Sequence, residues 1–358
     1  MTKYSAIGVD LGDRCSVVCG LDDQGVVIMT QRVKSTPEAI EGLFSKIEPT
    51  KVAIEAGSLS AWVSRVLEAE GHAVIVANPR KLKLISENEK KTDGLDAELL
   101  ARLVRADPAL LKPIRHRGKQ AQADLAVIRS RDVLVRSRTV LINHVRGTLK
   151  AFGIRLPRCS AEAFHHRVIE FIPKALSPAV AFVVGQIRTM TIAIREYDKD
   201  IEREVASRYP MVRHLAQVGG VGTLTALAFT LTIEDPGRFP QPRQVGAFCG
   251  LCPRSARSSD SNPQLRISKT GNDYLRRLLV GSGHYILGPF GPPCYLREWG
   301  LALMARGGRN ARKRAAVAVA RRLSVLLLAL WVSGEDYDPQ RNGKTEAAHT
   351  LEGVASQS

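Results

Sequence analysis

Two carboxylates stand three residues apart in Lys91-Thr92-Asp93-Gly94-Leu95-Asp96-Ala97-Glu98-Leu99. Leu95, Leu99 and Leu103 recur every four residues, so the stretch reads as an amphipathic helix with Thr92 or Asp93 at its N-cap. A spacing of three puts Asp93 and Asp96 on one face of the first turn. One acid there is explained by the helix macrodipole. Two on the same face repel unless a cation lies between them, and a divalent ion held by oxygen ligands is the usual remedy. Asp10 in Gly8-Val9-Asp10-Leu11-Gly12 and Glu55 in Ile54-Glu55-Ala56-Gly57 each end a short β-rich run. Each also has a plainer reading. Asp10 could belong to a phosphate loop of the kind found in actin-like kinases, and Glu55 could cap a turn.

A second set of reactive groups lies far downstream. In Cys252-Pro253-Arg254-Ser255-Ala256-Arg257-Ser258-Ser259-Asp260 a serine-rich loop is flanked by arginines, and Arg266-Ile267-Ser268-Lys269-Thr270-Gly271-Asn272 leads into a helix with Arg276 and Arg277. Residues 254–322 hold 14 Lys+Arg against 3 Asp+Glu, a balance suited to phosphates. A serine among arginines serves either as a backbone-binding hydroxyl or, given a base, as a nucleophile on phosphorus. Gly219-Gly220-Val221-Gly222 before an apolar helix at 224–231 fits a phosphate-holding helix-hairpin-helix turn or a tight interhelical turn.

The elements that must position these groups follow from periodicity. Residues 4–10, 16–21 and 26–33 read as an antiparallel meander turned at Asp22–Gly25. A helix at 37–46, a strand at 51–55, a helix at 60–70, a strand at 73–76 and the helix opening at Asp93 complete the order. That is the element order of the ribonuclease-H-like fold, in which the ends of the first and fourth strands meet the last helix. Asp10, Glu55, Asp93 and Asp96 fall at those places. Four converging acids suit two Mg²⁺ ions about 4 Å apart, the arrangement used in phosphodiester chemistry. Beyond them, Ile128, Val135, Ile142 and Leu149 recur at seven in a helix over 117–152, and Ile187, Ile194 and Ile201 in a second over 179–208. The two are expected to pair antiparallel. The expected division is residues 1–112, a helical stalk at 113–210, a basic domain at 211–335 with its last helix at 315–332 carrying Arg321 and Arg322 outward, and a disordered tail at 336–358.

Charge separates the same parts. The chain of 358 residues has a formal net charge of +17, yet residues 1–100 carry 12 Lys+Arg against 15 Asp+Glu and the remainder 40 against 20. An acidic head on a basic body points to nucleic acid rather than to a membrane surface. The longest apolar run, residues 324–332, is too short to span a bilayer, and no secretion signal is read at the N-terminus. Six cysteines are expected as reduced thiols, and Cys249-Gly250-Leu251-Cys252 lacks the second pair a zinc site would need.

Together these motifs resemble the DEDD-type insertion-sequence transposases, relatives of pilin-inversion and bridge-RNA-guided recombinases. The resemblance covers roughly residues 5–335. It rests on Asp10 in Gly-Val-Asp-x-Gly, Glu55 in Ile-Glu-Ala, Lys-Thr-Asp93-x-x-Asp96-Ala, the glycine turn near Gly220, Gly-Leu-x-Pro at 250–253 and Ser-Lys-x-Gly-Asn at 268–272. It implies an α/β RuvC-like, ribonuclease-H-like N-terminal domain, an α-helical coiled-coil stalk and a mainly α C-terminal transposase domain. It further implies a Mg²⁺-binding tetrad of Asp10, Glu55, Asp93 and Asp96 and a nucleophilic serine at Ser258, with Ser259 as the alternative register because glycine does not follow here. The acids and the serine would form one composite site in a dimer or tetramer. DNA and a structured bridge RNA are the implied partners, held by Arg254, Arg257, Arg266, Lys269, Arg276, Arg277, Gly220 and Gly222. The implied setting is the bacterial cytoplasm at the nucleoid. The main rival is a RuvC-like Holliday-junction resolvase that cuts with water.

Overall fold

The computed structural model describes residues 1–79, 93–254 and 265–340, the Asp93 side chain apart. The chain divides into two compact units, Met1–Gly118 and Lys119–Ser358.

In the first unit, β1 (Ala6–Asp10), β2 (Cys15–Leu21) and β3 (Val27–Lys34) form the antiparallel meander, followed by α1 (Pro37–Phe44), β4 (Lys51–Glu55), α2 (Ser60–Ala69), β5 (Ala73–Ala77) and α3 (Asp93–Ala106). The sheet order is β3-β2-β1-β4-β5, with β1, β4 and β5 parallel. Local chemistry sets the ends. Asp22 Oδ1 accepts the amides of Gln24 and Val26 at 2.9 and 2.8 Å, closing the β2–β3 turn. Thr36 caps α1 with Pro37 at the first helical position. The central strand is buried on both faces. Ile7 and Val9 pack with Ile40, Phe44 and Leu67, while Ala6 packs with Leu100 and Val104 of α3. Each fully buried Ile, Leu or Phe contributes roughly 1.5–3 kcal/mol.

The second unit is helical: α4 (Lys119–Ala151), α5 (Phe164–Arg167), α6 (Ser177–Asp200), α7 (Met211–Leu215), α8 (Thr223–Ile233), α9 (Gln244–Phe248), α10 (Asp273–Ile286), α11 (Tyr295–Ala305) and α12 (Ala311–Ser333). Helices α4 and α6 pair antiparallel, with Arg131 on Asp198, Arg138 on Thr191, and Leu149 clustered with Val180 and Val184. The second long helix does not run straight to Arg208. It widens into a π turn at Ile201–Val205 and tightens at Ala206–Arg208. The following residues then reach buried Asp124 of α4, which takes Arg208 and the Tyr209 hydroxyl at 2.7 Å each.

Helices α8 and α12 form the core of this unit, with Ala226, Leu227, Phe229, Val319, Leu323 and Leu327 fully buried. Length and composition would let 174–208 and Ala311–Ser333 cross a membrane, longer stretches than the sequence suggested. Arg321 and Arg322 interrupt the apolar run of α12, whose inner face is spent on this core. Arg322 does not face outward: its guanidinium lies 3.9 Å from the Trp299 ring centroid and donates to the Tyr295 hydroxyl at 2.6 Å.

Candidate active site and nucleic-acid interface

In the first unit the acids are placed by strand register and by one glycine. Parallel β1 and β4 pair Val9 with Ile54, so Asp10 and Glu55 are the next positions on neighbouring strands. Both are half-buried at the C-terminal ends of their strands. The loops beyond them are fixed. Ser35 Oγ donates to Gly12 O at 2.6 Å, and Gly57 N donates to Ser60 Oγ at 2.9 Å. Helix α3 lies directly on β1 because Gly8 has no side chain. A Cβ there would fall 2.0 Å from Ala97 O and 2.5 Å from Ala101 N. Ala97 sits over Gly8 while Val104 packs with Ala6, so α3 runs antiparallel to β1 and its first turn points toward the Asp10 end. Half-buried Asp96 lies in that turn, and Asp93 begins the helix. Asp10, Glu55 and Asp96 are thus brought to one end of the sheet. Among the described residues, which omit the Asp93 side chain, no three His, Cys, Asp or Glu side chains stand as a metal-holding group.

In the second unit the two downstream motifs lie side by side. Residues 250–254 and 266–271 pass as a short stem, bridged at Pro253 and Ile267. Arg254 N–H donates to Arg266 O at 3.0 Å, Ser268 N–H to Cys252 O at 2.8 Å and Lys269 N–H to Gly250 O at 3.1 Å. Gly250 and Gly271 have φ of +69° and +84°, and a Cβ on either would lie about 2 Å from a carbonyl oxygen of the opposite segment. Asn272 then caps α10 through Leu275 N. Arg254, Arg266 and Lys269 are exposed on this stem. Ser258, Ser259 and Arg257 lie outside the described residues.

Comparison with known proteins adds two family models. One, described as Transposase (DEDD_Tnp_IS110), matches residues 7–154, and the other, Transposase IS116/IS110/IS902 family, matches residues 212–284. The chain belongs to the DEDD-type insertion-sequence transposases. The transposase is 29% identical over 94% of its length to a transposase for insertion sequence element IS1111A of Coxiella burnetii, covering 92% of that protein. It is 29% identical over the same share to a probable family 20 transposase of Pseudomonas aeruginosa, covering 99% of it. A transposase for insertion sequence element IS1328 of Yersinia enterocolitica is 26% identical over 78% of this chain and 83% of its own. Such enzymes cleave and rejoin DNA. Membership implies use of a divalent metal, and carboxylate oxygens of the kind that meet at this end of the sheet are hard donors that suit such an ion.

Elsewhere the transposase uses its expected residues unequally. Gly220, at φ +89°, is packed against Ile286 and Tyr285, whereas Gly222 is exposed at the N-cap of α8 with open space around it. Arg276, expected among the phosphate-holding cations, is 8% exposed and bonded to Cys249 O and Thr270 O. Arg277 holds Asp132 through two bonds, at 3.1 and 2.7 Å, and Asp273 at 3.0 Å. The bonds Arg277 donates to Asp132 stabilise the charged guanidinium further, raising its pKa. The Arg277 bonds likewise hold the Asp273 carboxyl below the usual carboxylate range. Spacings of three and four from Asp273 to Arg276 and Arg277 are a readable sign of local pairing. Asp132 could not be found that way, because it lies on α4, far back in the chain. Cys249 is buried and desolvation raises its thiol to about 12, so it acts as a small core residue.

Proposed function

We propose that this transposase cleaves and rejoins the strands of its mobile element through Asp10, Glu55, Asp93 and Asp96, which hold Mg²⁺, and through Ser258 as nucleophile. The observation that carries the reading is the convergence of Asp10 and Glu55, adjacent in strand register, with the first turn of α3 at one end of the sheet. Bound Mg²⁺ would supply charge neutralisation at the scissile phosphate. The chain's own groups do the rest. Asp10 and Glu55 stand at strand ends whose following loops are tied by hydrogen bonds, which limits how far these two positions can move. The Ser258 hydroxyl gives up its proton and attacks phosphorus, and the bond to the leaving sugar oxygen breaks as that oxygen takes a proton. The serine–phosphate ester keeps the bond energy until a second DNA hydroxyl displaces the serine. Exposed Arg254, Arg266 and Lys269 suit phosphate contacts on either side of this serine segment, and a structured bridge RNA is the proposed guide. Exposed Val133 and Val140, seven apart on α4, suit a homo-oligomer built on a coiled-coil stalk.

A suicide DNA substrate incubated with the full chain and Mg²⁺ tests the chemistry. Covalent protein–DNA adduct is expected from the natural sequence and from neither Ser258→Ala nor Asp10→Asn. Cutting by Ser258→Ala without any adduct from the natural sequence would instead identify a water-using resolvase. Sequencing of RNA that co-purifies with the protein tests guidance.

A further inference from the structure

The stem formed by 250–254 and 266–271 is already closed by three backbone hydrogen bonds and two positive-φ glycines. A buried guanidinium is an expensive addition to such a turn, because burial strips its water. Arg276 nonetheless sits there, one turn into α10. Its Nη1 donates to Cys249 O and to Thr270 O, both at 3.2 Å, one carbonyl from each side of the crossing. Its Nη2 donates to Asp273 Oδ1 at 2.8 Å. The other Asp273 oxygen takes Arg277, which reaches across to Asp132 on α4. Asp132 in turn holds Arg136 at 3.0 Å. A continuous set of charged bonds therefore runs from the long helix to both segments of the stem, and residues 255–264 leave from that stem.

We propose that Arg276 is a positioning residue for strand cleavage, a fork that fixes the two segments of the stem relative to each other and ties them, through Asp273 and Arg277, to α4. The link needs Nη1 on the two carbonyls and Nη2 on Asp273 at the same time, two nitrogens at a fixed angle in one planar group, which arginine has and lysine lacks. The proposal rests on the reading of Ser258 as nucleophile. It also differs from the role the sequence suggested, since a residue this buried and this fully bonded sets geometry and does not bind phosphate.

The test uses the full-length protein, the suicide substrate, and three variants: Arg276→Lys, Arg276→Gln and Ser258→Ala. For Arg276→Gln the adduct rate at saturating DNA should fall on the order of 10²-fold, the cost of a misplacement of about 1 Å. DNA affinity and its salt dependence should stay unchanged, and amide exchange at Ser268 and Lys269 should quicken while that of α8 and α12 does not. Arg276→Lys keeps charge and reach, so it provides the answer if the Gln variant fails to fold, and it should lose at least about tenfold in the same rate. A wild-type adduct rate in Arg276→Lys would overturn the proposal. So would weaker DNA binding with an unchanged rate at saturation, which would make Arg276 a phosphate ligand after all. Persistence of the adduct in Ser258→Ala would sink the serine reading alone. The exchange measurement and the rate of strand cleavage would still report on Arg276.

Discussion

Gly8 decides more about the acidic site than any of the acids does. Its missing side chain lets the backbone of α3 rest on β1, and that contact delivers Asp96 toward the Asp10 end of the sheet. Gly8→Ala would place a Cβ 2.0 Å from a backbone oxygen that no rotamer change can move. The helix must shift, with a cost of about 1–3 kcal/mol for overpacking. Cleavage should fall with it, whereas Gly42→Ala, at an exposed position inside α1 with no atom within 4 Å, should leave cleavage unchanged and raise stability by roughly 0.5–1 kcal/mol. Urea denaturation and adduct formation on the two variants check this. A Gly8→Ala protein of wild-type stability would mean that α3 does not sit on β1 as described. At the same scale, Asp96→Asn should eliminate cleavage while leaving nucleic-acid binding largely intact. Loss of folding instead would return Asp96 to the role of an ordinary helix-start acid.

At the scale of elements, the sheet was legible because its strands obey local rules. The meander follows from β-rich runs around an Asp-Gly turn, and the strand ends at Asp10 and Glu55 follow from where those runs stop. The approach of α3 to Gly8 was not legible, since a glycine in a strand does not say which backbone will lie against it. The break after Asp200 was hidden for a similar reason: the heptad continues to Ile201, and the departure serves Asp124, many residues earlier. The α4–α6 hairpin also carries a titration that composition could not show. His165 is buried, and its pKa is lowered first by burial and then by His166, Arg188 and Arg195, with a backbone bond at Glu162 acting the other way. The folded state therefore resists protonation that the unfolded chain accepts near 6.5. Between those two values the unfolded state binds more protons, so stability should fall as pH drops through the ordinary histidine range. His165→Gln should flatten that dependence relative to the natural sequence when denaturation is followed from pH 7.5 to about 5. Equal slopes in the two proteins would show that His165 titrates as if free.

At the scale of the whole molecule, charge separation is the property the sequence stated most plainly, yet the structure divides the basic residues into two kinds. Arg276, Arg277 and Arg322 are spent on carbonyls, carboxylates and aromatic rings inside the second unit. Arg254, Arg266 and Lys269 are exposed on the stem. Net charge alone cannot separate these kinds, because a guanidinium counts once whether it faces water or a buried acid. Counterion release can. Each phosphate neutralised contributes roughly −0.9 to the slope of log K against log salt on duplex DNA. Replacing Arg254, Arg266 and Lys269 together by alanine should flatten that slope by about 2 to 3 and weaken binding to all sequences alike. Arg276→Gln should leave the slope where it was, because its charge faces carbonyls and Asp273 before any DNA arrives. Titrations of a fixed duplex from about 50 to 200 mM salt make the comparison. A slope that falls for Arg276→Gln and not for the triple variant would reverse the assignment, moving the nucleic-acid face from the stem's exposed edge to the start of α10.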